Sequence, residues 1–330
     1  MEALNRGSSP EVFAPLLTPW YLSGPTASGK TSVAIELAKK LGAEIVSADS
    51  MALYRGMDVG TAKPSTNERR EVPHHLIDML DPTESFSLGQ YVAEAHRVIR
   101  QIESAHKPVL VVGGTPLYMK ALLRGVFVGP PADFAFREKL AQEAAQQPPG
   151  YLHAKLAQVD AKAAARLHPN DPRRIIRALE VYEKLGRPLS ELQQQFEKGT
   201  PAALCRVFVL DRAKEDLRRR IEDRVAEMFC RGLVEEVRGL LARYGRLSPT
   251  ASQAVGYREV LTYLSSRSTL EETILLVKRH TWQLARRQRI WFRSLCECRF
   301  VPVSAGESAA EIADRILQMA QPAEKRPGIN

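Results

Sequence analysis

Trp20-Tyr21-Leu22-Ser23-Gly24-Pro25-Thr26-Ala27-Ser28-Gly29-Lys30-Thr31 is the stretch on which the reading of the whole chain turns. A short apolar run enters two glycines five positions apart and a Lys-Thr pair, after which Ala34, Leu37, Ala38 and Leu41 recur at helical spacing as far as Gly42. That is strand, glycine loop, helix. Residues 24–31 fit the pattern G-x-x-x-x-G-K-[ST], in which glycines let successive backbone N–H groups converge on a phosphate chain at a helix N-terminus. Gly24, Pro25, Thr26, Ala27, Ser28, Gly29, Lys30 and Thr31 are therefore expected to bind a di- or triphosphate. Lys30 adds a charge and Thr31 a magnesium ligand. The loop predicts a bound di- or triphosphate and leaves hydrolysis open.

Downstream, Glu44 to Ala48 reads as a second strand ending at Asp49, and Leu88, Tyr91, Val92, Ala95, Val98, Ile99 and Ile102 form an amphipathic stripe leading to a third strand at Pro108 to Val112. Strands alternating with helices imply a parallel sheet covered on both faces. From about residue 133 to 201 the strand-like runs vanish and helical patterns broken by Pro148-Pro149-Gly150, Pro169, Pro172 and Gly186-Arg187-Pro188 take over. The expected organisation is an α/β, P-loop NTPase-like core at 18–132 and 202–321, split by an all-helical insertion at 133–201. A disordered tail is expected at 322–330.

The 330 residues suffice for a large core, with 44% apolar and 26% charged residues, so disordered, collagen-like and coiled-coil classes are excluded. The longest uncharged stretch, Val12 to Gly29, is broken by Pro15, Pro19 and Pro25 and cannot be a continuous membrane helix. Met1 to Pro10 lacks the pattern of a secretory signal, so a cytoplasmic protein is expected. Cys205, Cys230, Cys296 and Cys298 are too scattered for a disulfide framework and have no metal-binding spacing. Lys and Arg exceed Asp and Glu by nine, which points to a polyanionic partner.

Ligands of open parallel sheets bind beyond the carboxyl ends of the strands, which puts Asp49 beside the phosphate loop. There it could serve as a general base, sit near magnesium, or only cap the next turn. Gly113-Gly114-Thr115 follows the third strand at the same edge and reads either as a hydroxyl aimed at the site or as a plain turn. Asp211 is expected to cap the helix beginning near Ala213 rather than to hold magnesium as in an ATPase. His74, His75 and His168 are read as structural. Between Leu270 and Leu295 one helix presents Ile274, Val277, Leu284, Trp291 and Leu295 on one side and Arg279, Trp282, Arg286, Arg289 and Arg293 within an arc of about 80° nearly opposite. From Lys278 to Arg299 seven basic residues meet one acidic residue, Glu297, so a nucleic-acid phosphate track is expected there.

With these strings in place, the chain closely resembles the tRNA dimethylallyltransferase (tRNA isopentenyltransferase) family. The matching strings are the loop at 24–31, Asp49-Ser50 with Tyr54 and Gly56-Met57-Asp58-Val59-Gly60-Thr61-Ala62-Lys63-Pro64, and Gly113-Gly114-Thr115 with Leu117-Tyr118. They continue through His168-Pro169-Asn170-Asp171-Pro172 with Arg174, Val255-Gly256-Tyr257-Arg258, and Gln283-Leu284-Ala285-Arg286-Arg287-Gln288 with Trp291 and Arg293.

The resemblance points to a diphosphate as the ligand of residues 24–31 and implies that dimethylallyl diphosphate alkylates N6 of the adenosine immediately 3′ of a tRNA anticodon, position 37, with release of diphosphate and with Mg2+ as cofactor. It implies Asp49, Thr115, Lys30 and Arg137 as catalytic residues. It further implies tRNA contacts at Asp49, Ser50, Met51, Ala52, Thr115, Arg137, Arg173, Arg174, Arg177, Gln253, Gly256, Tyr257, Arg258, Arg286, Arg287, Gln288, Arg289 and Arg293, with the insertion gripping the anticodon stem-loop and the enzyme acting as a monomer. Many members have Gln at Ala52, a basic residue at Trp282 and Thr at Ile290, and eukaryotic members carry a zinc-finger extension absent here. The competing classes are a small-molecule kinase using ATP and an RNA-binding NTPase switch.

Overall fold

The computed structural model describes residues 12–321, so the expected tail at 322–330 and the segment read for a secretory signal lie outside the described residues. The strands are β1 (Val12–Phe13), β2 (Trp20–Ser23), β3 (Glu44–Ser47), β4 (His74–His75), β5 (Val109–Gly113), β6 (Val126–Phe127), β7 (Val207–Arg212) and β8 (Cys298–Val303). The helices are α1 (Lys30–Leu41), α2 (Thr66–Glu71), α3 (Leu88–Ser104), α4 (Pro116–Arg124), α5 (Phe134–Ala145), α6 (Tyr151–Val159), α7 (Ala161–Arg166) and α8 (Pro172–Leu185). They continue with α9 (Leu189–Leu192), α10 (Lys214–Cys230), α11 (Leu233–Tyr244), α12 (Tyr257–Leu264), α13 (Leu270–Arg293) and α14 (Ala309–Ala320). Two compact units emerge from this order: a larger one of Leu16–Leu123 with residues 199–321, and a smaller one of Arg124–Lys198 with residues 12–15.

In the larger unit six strands pair in parallel in the order β4-β3-β5-β2-β7-β8. Both faces of such a sheet are covered, which is why β5 and β7 read as nearly unbroken Val, Leu and Phe. Leu22, Ile45, Leu110, Phe208 and Val301 from five strands meet Val33, Leu37, Ile312 and Ile316 of α1 and α14 in one core. Each such full burial contributes about 1.5–3 kcal/mol. Register places Ser23 beside Gly113 and Ser47 beside Val112, so the ends of β2, β3 and β5 lie level to within one residue and their following loops share one edge. That edge carries the site.

In the smaller unit α5 to α8 pack around Leu140, Leu156, Ile175, Ala178 and Leu179. His168-Pro-Asn-Asp-Pro forms the entry to α8: Asp171 accepts a hydrogen bond from the backbone N–H of Arg174 and Pro172 occupies the first turn. The unit starts before the expected residue 133 because Val126–Phe127 pairs antiparallel with Val12–Phe13 instead of joining the sheet.

One expected cap is absent. α10 begins at Lys214 with Ala213 at its cap position, and Asp211 instead lies within β7, where it accepts from Arg289 at 3.0 Å and Arg293 at 3.5 Å. The expectation that the basic stripe has no acidic partners is corrected with it, because the partner comes from a strand distant in sequence.

Candidate active site

The loop from Gly24 to Gly29 leaves β2 and enters α1 at Lys30. Among the described residues no acceptor meets the backbone N–H groups of Ala27, Gly29, Lys30 and Thr31, whereas Ser28 N–H bonds Pro25 O at 3.2 Å. Four open donors at a helix N-terminus form an anion cradle. The outer carbonyls of the loop are taken by arginines of β7 and α10: Arg212 Nε donates to Ser28 O and Arg220 Nε to Ala27 O, each at 2.8 Å. With its carbonyls held outward, the loop keeps its donors inward.

Lys30 folds back over the loop and donates to Gly24 O at 3.0 Å and Pro25 O at 2.8 Å. Burial, then repulsion from Arg224, pushes its ammonium down to about 7, against the attraction of Asp49. A neutral amine keeps two protons for those two carbonyls, and an arriving polyanion favours the charged form. The Arg224 guanidinium reaches Thr61 O at 3.3 Å while its buried Nε has no partner. Burial holds it below the ordinary arginine value and Asp49 attracts it. Lys30, Asp49 and Arg224 thus form one electrostatic cluster.

Asp49 follows β3, and its Oδ1 accepts from Met51 N–H at 2.9 Å, so the carboxylate does close a turn. Its second oxygen has no hydrogen-bond partner among the described residues. The same segment is tied to the β5 turn: Thr115 N–H donates to Ala48 O at 3.2 Å, and Thr115 Oγ1 accepts from Ser50 N–H at 3.0 Å. Glycine is required at 113, where a Cβ would lie 2.0 Å from Ala48 O. Thr115 is therefore a clamp on the Asp49 segment, half-exposed at the same edge.

Several residues read from sequence as RNA contacts are internal. Tyr257 is 0% exposed and donates its hydroxyl to Glu236 at 2.5 Å. That carboxylate also receives the amides of Asp58 (3.0 Å), Val59 (2.7 Å) and Gly60 (3.3 Å), so the string at 56–64 is an internal anchor. Lys63 reinforces it from inside, bonding Asp58 and Asp78 at 2.7 and 2.6 Å. Gly256 and Ala52 are also buried. Gln288 is buried between two loops, and Trp282 packs on a cluster containing Ala27, Leu217, Ile221 and Ala285 instead of standing on the exposed arc. The correction has one cause: the buried face of α13 is Thr273, Val277, Thr281, Ala285, Gln288 and Phe292, rotated from the purely apolar stripe.

Other sites are open. Gln253, Arg258, Arg286 and Arg287 are exposed, with Arg258 bonded to Glu259 at 2.7 Å and Arg286 and Arg287 lacking an acidic partner among the described residues. Met51 and Ser50 are half-buried at the Asp49 turn. In the smaller unit Arg173 is exposed and Arg174 pairs with Asp171 at 2.8 Å. Arg137 and Arg177 both close on Glu180, at 2.8 and 2.5 Å. Burial pushes the Glu180 carboxyl up, but Arg137, the Asp133 amide and Arg177 outweigh it and hold it down at about 2. The sequence reading missed Arg212, Arg220 and Arg224. Their signal is the i, i+4 pair Arg220 and Arg224 beside the buried stripe Leu217, Ile221, Val225 on the helix that follows a strand next to the phosphate loop.

No group of three or more His, Cys, Asp or Glu side chains is arranged to hold a metal among the described residues, and no helix there is long and apolar enough to cross a membrane.

Comparison with known proteins meets this geometry. The family model described as IPP transferase matches residues 52–295. A tRNA dimethylallyltransferase of Geobacter metallireducens is 47% identical over 272 residues, 82% of this chain and 88% of that protein. One from Rhodopirellula baltica is 43% identical over 318 residues, 94% and 95% of the two chains. The crystal structure of the full-length tRNA isopentenylpyrophosphate transferase of Bacillus halodurans superposes with a TM-score of 0.66 at 37% identity, covering 92% of this chain and 96% of that one. A eukaryotic dimethylallyltransferase solved acting on tRNA gives a TM-score of 0.75 at 26% identity, covering 92% and 78%.

Proposed function

This chain belongs to the tRNA dimethylallyltransferase family, and from that premise we propose how its residues divide the work of moving a dimethylallyl group from dimethylallyl diphosphate to tRNA. The acceptor is N6 of the adenosine 3′ of the anticodon, and the reaction is placed in the cytoplasm, where tRNA is found. N6 attacks C1 of the allyl group, the C1–O bond breaks, and diphosphate leaves with the bonding electrons. The reported relatives lend no support to a kinase or an NTPase switch.

The loop amides of Ala27, Gly29, Lys30 and Thr31 receive the diphosphate, and Lys30 and Arg224 oppose the charge that grows on it as the bond breaks. Aimed donors of this kind act more strongly in the transition state than on the bound substrate. The Thr31 hydroxyl, with no hydrogen-bond partner among the described residues, is the protein oxygen that would hold a magnesium ion beside the diphosphate. When bound there, magnesium would supply further neutralisation of the leaving group.

The lone pair on N6 is delocalised into the adenine ring, so the amine needs its proton removed as the C–N bond forms. Asp49 takes that proton, and Thr115 holds the Asp49 segment in place through Ser50 and Ala48. Arg286, Arg287 and Arg293 of α13, with Gln253 and Arg258, follow the RNA backbone, Asp211 holds Arg289 back from it, and Arg173 and Arg174 of the smaller unit add contacts to the stem. Arg137 and Arg177 act through Glu180, which they brace.

The observation that carries this reading is the open amide cradle with Lys30 inside it, in electrostatic reach of Asp49. Asp49→Asn is expected to slow single-turnover transfer by about 10² or more with tRNA affinity nearly unchanged. A single-turnover rate within about threefold of wild type would remove Asp49 from the role of base.

A further inference from the structure

Gln288 joins the two loops between which the reaction takes place. It lies on α13 and is 7% exposed. Its Oε1 accepts the backbone N–H of Thr26 in the phosphate loop at 2.8 Å, and its Nε2 donates to the carbonyl of Gly114 at 2.6 Å. A Cβ added at Gly114 would stand 2.8 Å from that Nε2, so the amide is seated directly against the turn. Gly114 leads into Thr115, which holds Ala48 and Ser50 on either side of Asp49. One primary amide therefore ties the diphosphate cradle on one side and, through Gly114 and Thr115, the segment of the base on the other.

The same helix carries the exposed Arg286 and Arg287 within two residues of Gln288. Both ends of this link belong to one rigid helical turn, so a displacement of α13 on binding a polyanion is felt at Thr26 and Gly114 together. We propose that Gln288 is a positioning residue that couples the seating of RNA on α13 to the closure of the phosphate loop around the diphosphate. The proposal rests on the reading of α13 as an RNA contact and of residues 24–31 as the diphosphate site. Buried with both ends of its amide engaged, Gln288 acts through Thr26 and Gly114.

The test is the affinity of the full chain for inorganic diphosphate with magnesium, measured with and without unmodified tRNA. Wild type is expected to bind diphosphate at least about fivefold more tightly when tRNA is present, within the usual span of coupling between two sites. Gln288→Met keeps the length and loses both hydrogen bonds. Its coupling factor is expected to fall to about one while each ligand alone still binds.

Gln288→Glu supplies the reading that a merely structural role would not move. Ionised, its carboxylate accepts from Thr26 but cannot donate to Gly114; protonated, it does both, and burial beside a carbonyl raises the pH at which it protonates. Its coupling is expected to be absent at about pH 8 and to return towards the wild-type value at about pH 5.5, relative to wild type at the same pH. If Gln288→Met proves too unstable to titrate, this profile decides. Coupling retained in Gln288→Met, no recovery in Gln288→Glu at low pH, or independent binding of the two ligands to wild type would each overturn the proposal. Independent binding leaves the tRNA-prenylation reading intact, whereas failure to bind tRNA at all overturns both.

Discussion

Asp211 near the end of β7 holds Arg289 of α13 at 3.0 Å, and its other carboxylate oxygen lies 3.5 Å from Arg293. The stripe of arginines is consequently not uniform. Arg286 and Arg287 stand free of acidic partners among the described residues, whereas Arg289 is half-buried in an internal ion pair. Substituting Arg286 or Arg287 by Ala is expected to weaken tRNA binding and to reduce the slope of log affinity against log salt by about 0.7 to 0.9 each, with fold stability unchanged. Arg289→Ala is expected to lower the unfolding free energy by up to about 1 kcal/mol and to change the salt slope less. Equal slopes for all three, read from binding at several salt concentrations, would show that Asp211 releases Arg289 when RNA arrives.

Lys30 sets a pH dependence. Its folded value of about 7 lies below that of a free lysine, so between about 7 and about 10.4 the unfolded chain binds more protons and the ligand-free protein gains stability as pH rises. Diphosphate binding should behave in the opposite sense, because the anion selects the charged amine. Affinity is expected to fall about tenfold from pH 6 to pH 8 as the charged fraction falls. Calorimetry in buffers of different ionisation enthalpy should detect proton uptake on binding at about pH 8. A Lys30→Arg variant, always charged, should show neither effect. Proton-neutral binding by the wild type would mean that Lys30 is already charged before the ligand arrives.

Arg137 separates chemistry from architecture. It pairs with Glu180, which is 0% exposed and held well below the carboxylate range by Arg137, the Asp133 amide and Arg177 against the push of burial. A carboxyl with a lowered folded value stabilises above its unfolded pKa and loses that contribution as pH falls from about 4.5 towards about 2. Glu180→Gln is expected to cost about 3 kcal/mol, since it strands two arginines, and to remove most of that acid sensitivity. Arg137→Ala should raise the KM for tRNA and lower thermal stability. A loss of single-turnover rate at saturating tRNA, with stability intact, would place Arg137 at the reacting atoms.

The phosphate loop, the parallel sheet and the stripe on α3 were legible because their signals are local: a run of apolar residues, a glycine pattern, a period of 3.6. Thr115 and Asp49 were legible as neighbours because ligands gather at the carboxyl ends of parallel strands. What escaped was long-range. Nothing near Asp211 in sequence announces Arg289, and nothing near Gln288 announces Thr26, 262 positions away. Tyr257 looked like a contact because it sits in a family string, yet that string also encodes the Glu236 anchor that buries it. Trp282 fell on the basic arc by helical angle alone, and packing on Ala27 and Ile221 outweighs that angle.

The central claim, transfer of a dimethylallyl group to tRNA, is tested most directly by incubating the full chain with unmodified tRNA, dimethylallyl diphosphate and magnesium, digesting the RNA and weighing its nucleosides. The expected result is a prenylated adenosine located 3′ of the anticodon, diphosphate released in equal amount, and both strongly reduced in Asp49→Asn. Unmodified adenosine throughout, or diphosphate release that proceeds without tRNA and is unaffected by Asp49→Asn, would contradict it.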